Sequence, residues 1–368
     1  MDLLILDEDL KSVGMIDSFQ SLIWTERYWS CGDFELIVVA DDMNLLLLQL
    51  NYYIWVRESE YVMIIEELTI NTDSEEGNTI TVKGRSLESI LERRIIWNQT
   101  RVQGNFQNGI KKILDLNIIS PEDEDRKVEN LSFKVNSDPR FTELTMDKQW
   151  TGDNLYEAIQ GICEEKRVGF KITLEGTRFI FMLYIGTDRS YEQKKNPYVV
   201  FSPGFGNLIN TEYYETEISN KTLTLVAGED WGDERRRIVV MKPGGGLSGL
   251  HRKELYTDAR DIQAKKDDGS YMTNEEYNEL LAIRGYEKLS ECYEDYIFDG
   301  EVDPYAMFQY GRDYFMGDLV QVMNEFKIES RTRITEFIRS YNEEGIKNYP
   351  TFIIEDDQWT SDPMVTNA

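Results

Sequence analysis

At 368 residues and 41% hydrophobic content, the chain is long enough for two or more domains with packed cores. Its 68 Asp and Glu against 40 Lys and Arg leave a formal charge of −28, which repels nucleic acid and anionic membrane surfaces and argues against a sequence-specific DNA binder. No apolar run, Leu45 to Leu50 included, approaches the roughly 18 residues of a membrane span, and the scattered Cys31, Cys163 and Cys292 suit free thiols better than a disulfide framework or a metal site.

The start, MDLLILDEDLK, has neither the basic region nor the cleavage site of a signal peptide, so cytoplasmic synthesis is expected. Residues 1 to about 100 read as mostly β. Leu3 to Leu6 and Val13 to Ile16 flank the polar Asp7-Glu8-Asp9, the pattern of an opening hairpin with a solvated turn. Trp24, Tyr28, Trp29 and Phe34 cluster around Cys31-Gly32-Asp33, a turn before a strand from Phe34 to Val39. A second hairpin pairs Tyr61 to Ile70 with Thr79 to Lys83. In GRSLESILERRIIW, Ser86 is placed to cap a short helix with Leu87, Ile90 and Leu91 on one face.

Between about 101 and 195 the period changes to that of helices, as expected of an α/β insertion. Ile110, Ile113 and Leu114 mark one helix, and the acidic Glu122 to Asp125 reads as a solvated, mobile loop. Asp153 is expected to cap a second helix, with Leu155, Ala158, Ile159 and Ile162 as its buried stripe, running through Arg167 to a stop at Gly169. Phe170 to Leu174 and Phe179 to Tyr184 then form a hairpin.

The third part, about 196 to 355, returns to strands at Tyr198 to Phe201, Asn210 to Glu217, Thr222 to Val226 and Arg237 to Met241. A glycine-rich loop from Lys242 to Gly249 leads into a helical insertion at about 256 to 300, with a helix capped by Thr273 and Glu276 that runs to about Tyr296. Tyr310 to Tyr341 closes the chain as a hairpin. Met316-Gly317-Asp318 is its entry turn and Leu319 to Met323 its first arm. In the second arm Ile328, Ser330, Thr332, Ile334, Glu336 and Ile338 alternate with Glu329, Arg331, Arg333, Thr335, Phe337 and Arg339, as in a half-buried strand. Residues 356 to 368 read as a C-terminal tail.

The residues offer little catalytic chemistry. His251 is the single histidine and has no nucleophile motif beside it, which weighs against Ser-His-Asp or Cys-His hydrolysis and against zinc chemistry. The adjacent acids Asp41-Asp42, Glu66-Glu67 and Glu355-Asp356-Asp357 would face opposite sides of a strand, so a carboxylate-based glycosidase is the weaker reading and a solvated surface the stronger. The glycine-rich loop lacks the GxxxxGK[ST] order of a phosphate cradle. Trp24, Trp29, Trp55 and Trp97 would stack on sugars if exposed together, but among β-rich apolar neighbours they read as core or subunit contact. No catalytic, cofactor-binding or metal-ligating residue is assigned.

Five segments, GRSLESILERRIIW, TGDNLYEAIQGIC, NPYVVFSPGFGNL, RKELYTDARDI and YGRDYFMGDLVQVMNE, in this order and spacing, resemble the baseplate hub or tail-associated (tail tip) proteins of long-tailed phages and phage tail-like particles, over about residues 1 to 355. The resemblance implies a predominantly β, α+β fold with two tail-tube-like β-barrels, at 1 to 100 and 196 to 355, carrying helical and α+β insertions. It implies a homotrimeric ring that joins a hexameric tail tube or distal tail protein to tip or spike proteins in the virion baseplate. The tape-measure protein and DNA would pass through its bore. It implies no cofactor and no catalytic residue, and because the chain stops soon after Tyr341, no appended peptidase or lysozyme region is expected. The alternatives are a cell-wall glycosidase and a carbohydrate-binding module that recognises the host.

Overall fold

The computed structural model describes residues 2–75, 77–229, 235–244, 248–265, 270–292, 295–302, 307–343, 345–354 and 364–367. Packing divides the chain into two compact units, 1–212 with 298–353 and 213–297 with 354–368.

The larger unit is built on a 13-stranded sheet. From one edge its order is Ser12–Ile16, Leu3–Leu6, Tyr53–Val56, Val62–Asn71, Thr79–Ser86, Asp33–Val39, Ser21–Arg27, Glu329–Asn342 and Gly345–Ile354. It ends on Asp295–Glu301 and Ile209–Thr216, two strands whose residues straddle the division between the units. Leu319–Met323 branches off Glu329–Asn342 and pairs in parallel with Val200–Phe201. The two expected barrels are therefore corrected at one point. Among the described residues the paired strands do not close on themselves, and the first and last β-rich parts share one sheet. The 14-residue strand Glu329–Asn342 is the reason. Its first half pairs with Leu319–Met323 and its second half with Ser21–Arg27, so a single strand is long enough to serve two neighbours.

The core under this sheet follows from alternation. Leu22, Trp24, Phe34, Leu36, Val38, Ile80 and Val82 occupy every second position and are buried together with Leu3, Ile5, Ile54 and Val56. The opening hairpin, the Val62–Asn71/Thr79–Ser86 hairpin and the closing hairpin all stand where the residues place them. Ser86 does precede a turn, the 3-10 helix Leu87–Arg93, but its hydroxyl accepts from the Gly32 N–H at 2.8 Å instead of capping.

Residues 101–195 carry helix and sheet. Thr100–Asn105 pairs with Thr145–Trp150, while Leu131–Lys134, Gly169–Glu175 and Arg178–Tyr184 form a three-stranded sheet. Helix Phe106–Leu114 is capped by Asn105. The second helix, Leu155–Glu165, is capped by Asn154 rather than Asp153, whose carboxylate takes the Thr151 N–H.

In the smaller unit the order is Glu254–Asp258, Leu223–Ala227, Arg237–Met241 and Met364–Asn367, so the expected tail contributes a strand. Helix Asn274–Ser290 lies in this unit, with the Thr273–Glu276 capping box as read from the sequence. It stops at Ser290, short of Tyr296, because the chain enters strand Asp295–Glu301. Tyr277, Leu281, Gly285 and Leu289, spaced four apart, are its buried line. Gly285 makes close packing possible, since a Cβ there would stand 2.6 Å from Val226 and 2.7 Å from Val240.

Candidate functional site

The chemistry of the larger unit concentrates on one face of strand Glu329–Asn342. Arg331, Arg333 and Arg339 alternate along it, each directed to a different partner. Arg331 pairs with Asp188 at 3.1 Å and Glu192 at 3.1 Å. Arg333 donates to the Gly317 carbonyl at 2.8 Å and lies over the Tyr28 ring. Arg339 reaches Glu26 at 2.5 Å, and the two side chains are only 9% and 3% exposed.

Glu26 is on the inward face of Ser21–Arg27, which also carries Leu22 and Trp24. In the register Phe337 lies opposite Glu26 and Arg339 opposite Trp24, so the ion pair is a diagonal one. The carboxylate accepts three donors: Arg339, the Ser59 hydroxyl at 2.6 Å and the Tyr310 hydroxyl at 2.8 Å. Arg339 also donates to the Glu58 carbonyl at 3.2 Å and stacks over Tyr310 and Phe337, whose rings are parallel with centroids 4.0 Å apart. Burial acts to lower the Arg339 pKa, but Glu26 and Tyr310 outweigh it and the net direction is up. Burial holds the Tyr310 phenol well above its ordinary value.

A second buried carboxylate ties down the entry turn. Asp318 is 3% exposed at its side chain and accepts from Arg189 Nε at 2.7 Å, the Thr187 N–H at 2.6 Å and the Phe315 N–H at 3.1 Å. The turn forms as its residues require, with Gly317 at φ 86°. Asp318 bonds the Phe315 N–H three residues back, however, rather than the backbone two residues on, and its other donors, Thr187 and Arg189, come from across the unit. Burial raises the Asp318 pKa despite Arg189.

The two buried carboxylates, Glu26 and Asp318, each have both oxygens engaged by donors of the protein. Both Glu26 oxygens are occupied, so no proton acceptor is presented to a substrate. The arrangement fixes strand register instead: a slip would leave a charge buried and unpaired.

The chain matches, over residues 2–352, the family described as Siphovirus ReqiPepy6 Gp37-like protein. It belongs to that siphovirus tail-protein family. No curated protein matches it in sequence. Three solved structures share the family member's fold at low identity. The tail protein from Neisseria meningitidis MC58 is 13% identical with a TM-score of 0.58, and covers 97% of each chain. The 43 kDa tail protein of prophage MuSo2 from Shewanella oneidensis is 10% identical with a TM-score of 0.60, covering 96% of this chain and 98% of its own. Prophage tail protein gp18 from Listeria monocytogenes EGD-e is 11% identical with a TM-score of 0.52, covering 98% and 96%.

The residues weighed for catalysis are dispersed in this family member. Asp41 caps helix Asp42–Leu47 through the Asn44 N–H at 2.7 Å, and Glu66 pairs with Arg85 at 2.7 Å. The run Glu355 to Asp357 is outside the described residues. His251 is exposed on the 3-10 turn Gly249–His251. Cys31 and Cys163 are buried free thiols, with Cys31 pushed up to about 12 by burial and then by Glu88. Among the described residues no group of three metal-ligating side chains exists, and no helix is long and apolar enough to cross a membrane. Trp24 and Trp29 are core, as expected, but Trp97 is 63% exposed. Glu26 and Asp318 were missed as site residues. The sequence signal for Glu26 is its place on the Leu22 and Trp24 face.

Proposed function

We propose that this chain is a structural baseplate hub: a homotrimeric ring that joins a hexameric tail tube, or a distal tail protein, to tip and spike components. The ring would surround the path of DNA and the tape-measure protein. The observation that carries this reading is the family match over residues 2–352, which runs through both compact units instead of stopping at one module. The tail-protein folds, each aligned over more than nine-tenths of this chain, support it. In this reading the two β-rich parts act as two tube-like modules per chain, with 101–195 as a side insertion, so that three chains present six modules to six tube subunits.

The chemistry suits such a part. Buried ion pairs hold one register, and an acid excess lets DNA pass without attraction. The hub is not an enzyme: purified protein is expected to show no turnover of peptidoglycan or peptides. The test is stoichiometry in the assembled particle by electron microscopy. Three copies in a ring at the tube end are expected; six copies, or single copies decorating the outside, would sink the hub.

A further inference from the structure

A shallow pocket lies beside the 3-10 helix Leu87–Arg93, away from the buried charge network and wholly within the larger unit. Its volume is about 370 Å³, at the small end of the range of ligand sites. Trp97 stands in it because its neighbour Ile96 is fully buried and strand-like alternation sends the next side chain outward. The backbone is fixed there. The Trp97 N–H donates to Asn117 Oδ1 at 3.1 Å, and the buried Asn117 is itself held by the Ile113 carbonyl at 2.9 Å.

The arginines around the indole are positioned by backbone rather than by acids. The Arg126 guanidinium lies over the Trp97 ring, 5.0 Å from its centre, and donates to the Ile95 carbonyl at 2.7 Å. The Arg126 carbonyl accepts from Arg94 Nε at 2.7 Å. Among the described residues neither arginine makes an ion pair, although Asp123 and Asp125 line the same pocket. The pocket is lined by Arg93 and Glu92 as well, and Glu92 is paired with Arg85 at 2.7 Å, so Arg93, Arg94 and Arg126 stand beside Asp123 and Asp125 as a set of donors and acceptors.

We propose that this pocket binds a neutral sugar residue. Arg126 backs the indole, and the exposed remainder of the ring offers a surface to the apolar face of a pyranose, a contact that aromatic surfaces favour. Sugar hydroxyls both donate and accept, which matches Arg94 and Arg126 interleaved with Asp123 and Asp125. A phosphate would face the two aspartates as well as the arginines, and an apolar ligand would cover these charged groups without matching them. The site stands independently of the hub assignment.

The test is saturation-transfer NMR on the full chain with glucose, galactose, N-acetylglucosamine and N-acetylgalactosamine, each titrated against wild type, Trp97→Ala and Asp125→Asn. At least one sugar is expected to saturate the wild type with Kd on the order of 1–10 mM, and Trp97→Ala to weaken it about ten-fold or more. Because the indole is exposed, thermal unfolding of Trp97→Ala should match wild type, so that lost binding is not lost folding. Absence of transfer to all four sugars would overturn the site, and so would unchanged binding in Trp97→Ala. Tighter binding of inorganic phosphate than of any sugar would make it an anion site instead.

Discussion

The two units solve the same packing problem with different chemistry. In the larger, the strands that meet are distant in sequence, and charges are buried where they meet: Glu26 with Arg339, 313 residues apart, and Asp318 with Arg189. In the smaller, Val226, Ile238, Val240, Ala259, Tyr277, Leu281 and Leu289 pack together, and the buried polar pair beside them is neutral, the Thr224 and Thr257 hydroxyls 2.8 Å apart. Its ion pairs Arg284–Asp261 and Lys253–Glu217 lie toward water, and in Arg235–Asp258 the arginine is 11% exposed but the carboxylate 38%. Apolar side chains reward any arrangement of about the right volume, whereas a buried ion pair rewards one. The difference teaches that buried charge appears where register between remote segments has to be enforced.

Removing one partner of the buried pair should break the comparison most severely. Arg339→Met leaves the Glu26 carboxylate without its cation and is expected to cost about 3–5 kcal/mol in urea unfolding. The paired replacement Glu26→Leu with Arg339→Met should recover most of that loss. If the double variant is no better than the single, the pair is not the coupled unit the geometry describes.

For the apolar unit, the matching test is shape. Gly285→Val puts methyl groups into Val226 and Val240, so the helix must lift from the sheet at a cost of about 1–3 kcal/mol. An unchanged unfolding midpoint would show that the helix is not held as closely as its contacts indicate.

Glu88 sharpens the contrast, as a buried acid without a cation at hydrogen-bond distance. One oxygen accepts the Ile172 N–H at 2.6 Å and the other has no partner among the described residues. Burial raises its pKa from 4.5 to about 6. Between those values the folded state holds more proton than the unfolded one, so stability falls as pH rises through the window, by about 2 kcal/mol in all. Glu88→Gln should flatten that slope; a slope unchanged in the variant would assign it to other groups.

The smallest effect is expected at the Thr273 cap. Thr273→Ala removes one half of the capping box and should cost about 1 kcal/mol, read as a small shift in the unfolding midpoint. A loss as large as that of Arg339→Met would mean that the helix end, not the core, governs the smaller unit.

Much of this was legible locally. The Leu3–Leu6 hairpin, the Thr273 cap and the Gly317 turn are set by residues within a few positions of one another, and propensity and alternation mark them. The pairing of Ser21–Arg27 with Glu329–Asn342 leaves no such trace, because nothing near Trp24 names its partner three hundred residues on. That is why two separate barrels were expected where the sheet is shared. Arg331, Arg333 and Arg339 were correctly placed on one face, yet a strand read as half-buried is buried on both faces from Thr332 to Thr335. The exposure of Trp97 was hidden for a related reason: its apolar neighbours Ile95 and Ile96 suggested core, and only Ile96 enters it.

The division between the units has a consequence for proteolysis. The chain passes from one unit to the other three times, after Glu212, after Ile297 and after Ile353. A single nick at any one of these passages leaves the units joined through the remaining two. Separating them by protease requires three cuts, so a preparation showing two fragments on a denaturing gel would still run as one particle under native conditions, the units joined through the uncut passages and the cut piece held by strand pairing within its unit.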